Sequence, residues 1–178
     1  MLTAASQPLS EATQRLVLMG VAGCGKSSVG VALAARLAAT YVDGDDLHLS
    51  ANIEKMSRGL ALNDTDRWPW LTLVAQVLAN PGGPLIIGCS ALKRVYRAHI
   101  TLSAGVPVTF IHLAGTPDVI KARMNARRGH FMPPGLLASQ FAALEPPETD
   151  ENAIGVNIDR PLGAIVDDII AQLGGMER

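Results

Sequence analysis

Several things are scarce in this chain. Only two cysteines, Cys24 and Cys89, occur in 178 residues. That is too few for a disulfide scaffold, and they read as small, reduced, partly buried thiols. Aromatic side chains make up 4 % of the chain, so the interior must be built from Ala, Val, Leu and Ile, as in a buried parallel sheet flanked by helices. Neither sign of charge dominates: 15 Lys and Arg against 16 Asp and Glu give a net charge of −1. The basic excess of a nucleic-acid binder is missing, and no nucleic-acid partner is expected. No apolar run approaches the roughly 20 residues needed to cross a bilayer, so no membrane partner is expected either. Residues 1–14 lack the basic start and apolar stretch of a secretory signal. They are expected to be a flexible tail before a single domain spanning residues 15–178. A cytoplasmic setting fits these absences.

What is present is an alternation of strand-like and helix-like segments. Leu16–Met19 reads as a first strand. A helix follows from Lys26, with Val29, Leu33 and Leu37 one turn apart on one face. Further strands are predicted at Tyr41-Val42, Leu85–Ile87, Val108–Leu113 and Ile154–Ile158. A last helix opens at Pro161, carries Leu162, Ile165, Val166, Ile169, Ile170 and Leu173 as its core stripe, and is expected to stop at Gly174-Gly175. The pattern predicts an α/β fold of three layers around a five-stranded parallel sheet. Two regions exceed a minimal strand–helix repeat. Residues 46–72 are rich in polar residues before Trp68-Pro69-Trp70, and residues 124–150 run from basic to acidic. Ligands of such sheets bind beyond the carboxyl ends of the strands. The two inserts are therefore expected to be a helical substrate cap and a mobile lid.

The most specific motif is Gly-Val-Ala-Gly-Cys-Gly-Lys-Ser at residues 20–27, directly after the first strand. A strand that ends in a glycine turn and opens a helix aims several backbone N–H groups at one spot. Those donors, with the helix dipole, hold polyphosphate. Gly20, Val21, Ala22, Gly23, Cys24, Gly25, Lys26, Ser27 and Ser28 are the expected nucleotide contacts. Lys26 should reach the β- and γ-phosphates and Ser27 should ligate Mg²⁺. The chain therefore reads as a nucleoside-triphosphate binder.

Asp43 and Asp45 end the second strand. In an extended Asp-x-Asp both carboxylates can face the same side. Phosphoryl transfer to an alcohol needs a metal near the γ-phosphate and an acceptor for the hydroxyl proton. Asp43 is assigned to the metal and Asp45 to the acceptor hydroxyl; the alternative is an acidic turn capping the next helix. His48, Asn52, Lys55 and Arg58, spaced by four, three and three, would share one helix face. That face is either a substrate wall or solvated. Arg67 can fork onto a carboxylate, and Asp66 is an alternative helix cap beside it. Lys93 and Arg97, four apart, make a cationic face for an anionic acceptor or two exposed charges. Arg123, Arg127, Arg128 and His130 crowd the start of the lid, where arginines can close over a triphosphate. Asn157-Ile158-Asp159 is a candidate wall for the nucleotide base.

Together these residues resemble the gluconate kinases, small kinases of the phosphate-loop class. The resemblance is carried by Gly20–Ser27; Asp43-Gly44-Asp45-Asp46-Leu47-His48; Asn52-Ile53-Glu54-Lys55-Met56; the stretch from Leu62 through Asp66-Arg67-Trp68-Pro69-Trp70-Leu71; Cys89-Ser90-Ala91-Leu92-Lys93; and Arg127-Arg128-Gly129-His130-Phe131-Met132. It runs from about residue 16 to 173. It implies a P-loop kinase fold like that of shikimate kinase, ATP and Mg²⁺, and often a homodimer. The implied reaction is phosphorylation of D-gluconate on its 6-hydroxyl. Lys26, Asp45, Arg127 and Arg128 then become the catalytic candidates, with Asp45, His48, Lys55, Arg58, Arg67, Lys93, Arg97 and His130 on the acceptor. Arg123, Arg127 and Asp159 join the loop on the nucleotide, and Ser27 and Asp43 hold the metal. Three positions depart from the family pattern: Leu49 and Ala61 stand where proline is usual, and Ala98 where an acidic residue is usual. From the residues alone, a kinase for shikimate, a nucleoside monophosphate or another sugar acid stays open, as does a non-catalytic nucleotide-binding regulator.

Overall fold

The computed structural model describes residues 14–126 and 134–176. Five strands form one parallel sheet: β1 (Arg15–Met19), β2 (Thr40–Asp43), β3 (Leu85–Gly88), β4 (Thr109–Ala114) and β5 (Ala153–Asn157), in the order β2-β3-β1-β4-β5. The helices are α1 (Lys26–Leu37), α2 (Ser50–Ser57), α3 (Asp64–Ala79), α4 (Arg94–Ala104), α5 (Pro117–Ala126), α6 (Pro134–Ala143) and α7 (Leu162–Met176). Every expected strand is present, with no end shifted by more than one residue.

β1 is buried throughout, and its side chains alternate between two cores because successive residues of a strand face opposite ways. Leu16 and Leu18 point into a core with Val29 and Leu33 of α1 and Ile165 and Ile169 of α7. Val17 and Met19 point into a second core with Leu71, Val74 and Leu78 of α3 and Tyr96 and Ile100 of α4. Ile86 and Ile87 of β3 divide in the same way. The continuous apolar run of each inner strand is thus the signature of a sheet covered on both faces.

Two helix ends differ from the sequence reading. The cap of α3 is Asn63, not Asp66: Asn63 accepts from the Asp66 N–H at 2.8 Å and the Asp66 carboxylate accepts from the Asn63 N–H at 2.8 Å, a reciprocal capping box. α7 continues through Gly174-Gly175 to Met176, since a penalty of about 1 kcal/mol per glycine does not stop a helix already anchored by its buried stripe. The chain leaves β1 first toward β2 and β3 on one side and later toward β4 and β5 on the other. The crevice beyond the carboxyl end of β1 is therefore the switch point at which such sheets bind ligands.

Candidate active site

The loop after β1 is shaped by glycine. Gly23 and Gly25 have φ of 80° and 98°, a region that costs residues bearing a Cβ. Gly25 is the N-cap of α1 and offers no side chain to the first amides, as at helix starts that hold an anion. The Lys26 ammonium rests on the loop, 3.1 Å from the Gly20 carbonyl oxygen and 3.2 Å from that of Val21. The Ser27 hydroxyl donates to Asp43 Oδ2 at 3.1 Å.

Asp43 and Asp45 reach the same cleft by a route other than the strand pleat. The chain turns at once into a 3₁₀ turn, Gly44–Leu47, and Asp43 caps it by accepting from the Asp45 N–H at 3.1 Å. Capping and site roles coincide in Asp43, whose two oxygens serve the turn and Ser27. Asp45 is left with a side chain 76 % exposed at the cleft. The turn is pinned from behind, because the buried Trp70 indole N–H donates to the Gly44 carbonyl at 2.7 Å.

The oxygens of Ser27 and Asp43 suit Mg²⁺, a hard cation that takes few protein ligands and completes its shell with water and phosphate. Among the described residues no group of three or more His, Cys, Asp or Glu forms a protein-only cage. Beside this pair the Tyr41 hydroxyl is buried without a hydrogen-bond partner among the described residues. Burial pushes this phenol up to about 12, with the nearby Ser27 hydroxyl pulling the other way. Its ring fills the space left by Gly30, where a Cβ would lie 2.1 Å from Tyr41 Cε2.

The segment expected as a cap departs from the expected polar stripe. His48 precedes α2 and stacks on Trp70, with ring centroids 4.1 Å apart. Asn52 donates to the Asp66 carbonyl at 2.9 Å, and the Lys55 ammonium donates to Asp66 Oδ2 at 2.5 Å. Arg58 pairs with Glu54 on its own helix. Asn52 and Lys55 therefore fasten α2 to α3, and of the four only His48 lines the cleft. Lys93 is held by Asp64 at 2.9 Å, over a shallower hollow beside the cleft. Arg97 is turned inward: it is 1 % exposed and donates to Glu151 at 2.6 and 2.8 Å and to the carbonyls of Ala91, Leu92 and Glu145. It does not meet the acceptor pocket. Arg67 does line the cleft, its guanidinium 5.6 Å over the Tyr96 ring, and makes no ion pair with a described residue.

On the opposite side Arg123 donates to the carbonyls of Ile158 and Arg160, and its guanidinium lies 3.3 Å from where a Cβ on Gly25 would sit. It thus joins the phosphate loop to the segment after β5, where Asp159 is exposed and its N–H donates to Asn157 Oδ1 at 2.8 Å. Arg127, Arg128 and His130 lie outside the described residues. Of the region expected as a lid, α6 and the stretch up to Asp150 pack against the body of the domain. The Glu145 N–H donates to the Leu92 carbonyl at 2.9 Å, and Arg94 bridges Glu148 and Asp150 at 2.9 and 2.6 Å. This puts Gln140 of α6 against the loop, its Oε1 accepting from the Ala22 N–H at 2.6 Å. No motif in the sequence marked Gln140. The available signal was one polar side chain within the inward stripe Leu137, Phe141 and Leu144.

The result is one cleft of about 640 Å³. The loop, Lys26 and Ser27 form one wall, Asp45, His48, Arg67 and Trp70 a second, and Gln140 a third. Burial lowers the His48 pKa below its ordinary value, and Arg67 adds to that while Asp45 opposes it. A depressed pKa means that the unfolded chain binds the proton more tightly. The contribution of neutral His48 to stability is then present above about pH 6.5 and is lost as pH falls through the lower folded value. His48→Phe, which keeps a ring on Trp70, is expected to flatten part of the loss of unfolding free energy between pH 7 and 5. Urea titrations across that range test this, and an unchanged pH slope counts against it.

Comparison with known proteins agrees with this geometry. The family model described as an AAA domain matches residues 16–147. The thermosensitive gluconokinase of Escherichia coli strain K12 is 47 % identical over 152 residues, covering 83 % of this chain and 80 % of the relative. A probable gluconokinase of Mus musculus is 40 % identical over 174 residues, covering 87 % of this chain and 95 % of the relative. The crystal structure of a gluconokinase from Sinorhizobium meliloti 1021 superposes with a TM-score of 0.86 at 42 % identity, covering 92 % of this chain and 93 % of that one.

Proposed function

The chain belongs to the gluconokinase family, and from that premise we propose that it transfers the γ-phosphoryl group of ATP to the 6-hydroxyl of D-gluconate. The observation that carries the reading is a cleft in which a phosphate loop faces an exposed carboxylate and an arginine that pairs with no described acid. A triphosphate needs the first, an alcohol acceptor the second, and an anionic sugar acid the third.

In this reading the loop amides and Lys26 hold the β- and γ-phosphates. The Lys26 ammonium exchanges the Gly20 and Val21 carbonyl oxygens for phosphate oxygens. Ser27 and Asp43 would hold Mg²⁺, which when bound neutralises charge between the β- and γ-phosphates. Arg67 takes the gluconate carboxylate in a bidentate grip. Lys93 and Lys55 are less suited, because Asp64 and Asp66 already neutralise them. Asp45 orients the terminal hydroxyl and accepts its proton. Trp70 and His48 wall the carbon chain, the imidazole neutral at pH 7 because burial disfavours its charge. Arg127 and Arg128 are assigned to the closing lid, over the transferring group, with His130 toward the acceptor. Catalysis is then mainly positioning and electrostatics.

Two wider assignments belong to the same proposal. Cys24 and Cys89 are both free and buried, the state that a reducing cytoplasm maintains. Among the described residues no helix is long and apolar enough to cross a membrane. The homodimer implied by the resemblance is read by light scattering of the purified chain.

The test is an acceptor panel in which ADP release is measured with gluconate, idonate, other sugar acids, shikimate and AMP. Gluconate is expected to give the highest kcat/KM, with a magnesium requirement. Higher kcat/KM for shikimate or AMP overturns the acceptor assignment, and ATP binding with no acceptor-dependent ADP overturns the enzyme.

A further inference from the structure

Arg67 of α3 faces the cleft with an unpaired charge, and it rests on Tyr96 of α4. The guanidinium carbon lies 5.6 Å from the centroid of the Tyr96 ring, within cation–π range. Arg67 Nη1 also donates to the Tyr96 hydroxyl at 3.4 Å. Among the described residues that is the one hydrogen bond of the guanidinium, so the other N–H donors of this cleft-lining side chain are uncommitted there.

The Tyr96 hydroxyl is set to receive it. Its O–H donates to Asp64 Oδ1. Burial, and the bond to Asp64 after it, raise the phenol above its ordinary value, so it keeps its proton. The same bond, with help from Lys93, holds the Asp64 carboxyl below its ordinary value, so it stays an acceptor. A phenol has a single O–H. With that proton committed to Asp64, the oxygen can only accept, and a guanidinium can only donate. Asp64 performs a second task. Lys93 Nζ lies 5.4 Å from the centroid of the same ring, and Asp64 accepts from it at 2.9 and 3.1 Å. Of the two cations against Tyr96, one is therefore neutralised and Arg67 is not.

The platform itself is rigid. Tyr96 is 2 % exposed and packs in the core with Leu71, Val74 and Ile100. Trp68 meets its ring edge-on, with centroids 5.5 Å apart and planes at 82°. Tyr96 is on the wall of neither the cleft nor the hollow beside it, whereas Arg67 is on both. Whatever Tyr96 does for an acceptor it does through Arg67. An arginine that swings freely loses much rotamer freedom when it grips a carboxylate, and one already seated loses less. We infer that Tyr96 is a positioning residue for the acid acceptor: its ring and its hydroxyl oxygen, oriented by Asp64, hold the Arg67 guanidinium in place for the carboxylate.

The inference rests on the reading of Arg67 as the partner of the acceptor carboxylate, and the test separates the two. Steady-state kinetics compare the wild type, Tyr96→Phe, Arg67→Met and the double variant, with gluconate and ATP varied independently and melting temperature followed in parallel. Phenylalanine keeps the ring and removes the oxygen. Tyr96→Phe is expected to raise KM for gluconate about three- to tenfold, the net effect of one hydrogen bond. Its kcat and its KM for ATP should change by less than about twofold, the pattern for lost uniform binding. Arg67→Met should raise KM for gluconate about ten- to a hundredfold, as for loss of a charge-assisted contact. The double variant should match Arg67→Met, because the Tyr96 oxygen then has nothing to hold. Wild-type KM for gluconate in Tyr96→Phe overturns the inference. Effects that multiply in the double variant also overturn it, since Tyr96 then acts without Arg67. So do equal rises in KM for gluconate and ATP with a lowered melting temperature, the mark of a merely structural role. If KM for gluconate rises in Arg67→Met alone, only the role of Tyr96 falls; if it is unmoved in Arg67→Met, the carboxylate assignment falls and the inference with it.

Discussion

Asp45→Asn is expected to lower gluconate-dependent kcat by about two to four orders of magnitude, the range for loss of a positioned general base, with ATP affinity unchanged. The geometry makes this variant easy to interpret. Asp45 contributes its N–H, not its carboxylate, to the turn, donating to Asp43 at 3.1 Å. Its own side chain is 76 % exposed, so the turn, the pinning bond from Trp70 and the Ser27–Asp43 pair all survive the substitution. The His48 ring lies beside it, with Nε2 3.9 Å from Asp45 Oδ1. Asp46→Asn, one residue along and also exposed, serves as the control and should stay within about twofold of wild type, as surface substitutions do. Steady-state kinetics with gluconate and ATP varied independently give the answer. Near-normal turnover in Asp45→Asn removes the proton-acceptor role and leaves the reaction to positioning by the loop and Arg67.

The largest expected effect on stability comes from a residue that first reads as part of the substrate site. Arg97→Met should cost about 3–5 kcal/mol, because removing one partner of a buried ion pair leaves the other charge uncompensated. At about 2–4 °C per kcal/mol for a chain of this size, the melting temperature should fall by roughly 6–20 °C. Arg97 is 1 % exposed and the Glu151 side chain is 10 % exposed, so solvent screens this pair little. The same guanidinium serves the carbonyls of Ala91, Leu92 and Glu145 at 3.1, 3.2 and 3.0 Å. Ala91 has a φ of 42°, a conformation that a side chain tolerates only where its surroundings hold it. The pair also holds the Glu151 carboxyl below its ordinary value, chiefly through the Arg97 hydrogen bond. That contribution is present above about pH 4.3 and is lost as pH falls through the lower folded value. The double variant Arg97→Met/Glu151→Leu should recover part of the loss, because it removes the stranded charge but not the stranded carbonyls. A change in melting temperature of less than a few degrees in the single variant counts against this role.

The two residues show where sequence reading succeeds and where it stops. The Gly20–Ser27 loop, the five strands and the cores on either side of the sheet were legible because each depends on local geometry. Period-two and period-3.6 burial, and glycine where φ is positive, are properties of neighbouring residues. The Asp43/Asp45 pair was legible by type and place, but the extended geometry expected for it gave way to a 3₁₀ turn at Gly44. Helical spacing put Lys55, Arg58, Lys93 and Arg97 on plausible faces. It did not contain their partners Asp66, Glu54, Asp64 and Glu151, all but one of which lie beyond helical reach in sequence.

The sequence by itself determined the donor half of the site, since a strand, a glycine turn and a helix carry the phosphate-binding geometry within eight consecutive residues. It also determined that a segment rich in polar residues follows β2. Only the tertiary structure decided which cations remain for a substrate. Long-range pairing neutralises Lys55, Lys93 and Arg97 and leaves Arg67 facing the cleft without a described acid. It also decided that α6 returns to set Gln140 on the Ala22 N–H. The physical reason is the same in both cases. A charge or an amide acts through whatever lies within about 3 Å of it, and for these side chains that neighbour is supplied by a distant part of the chain.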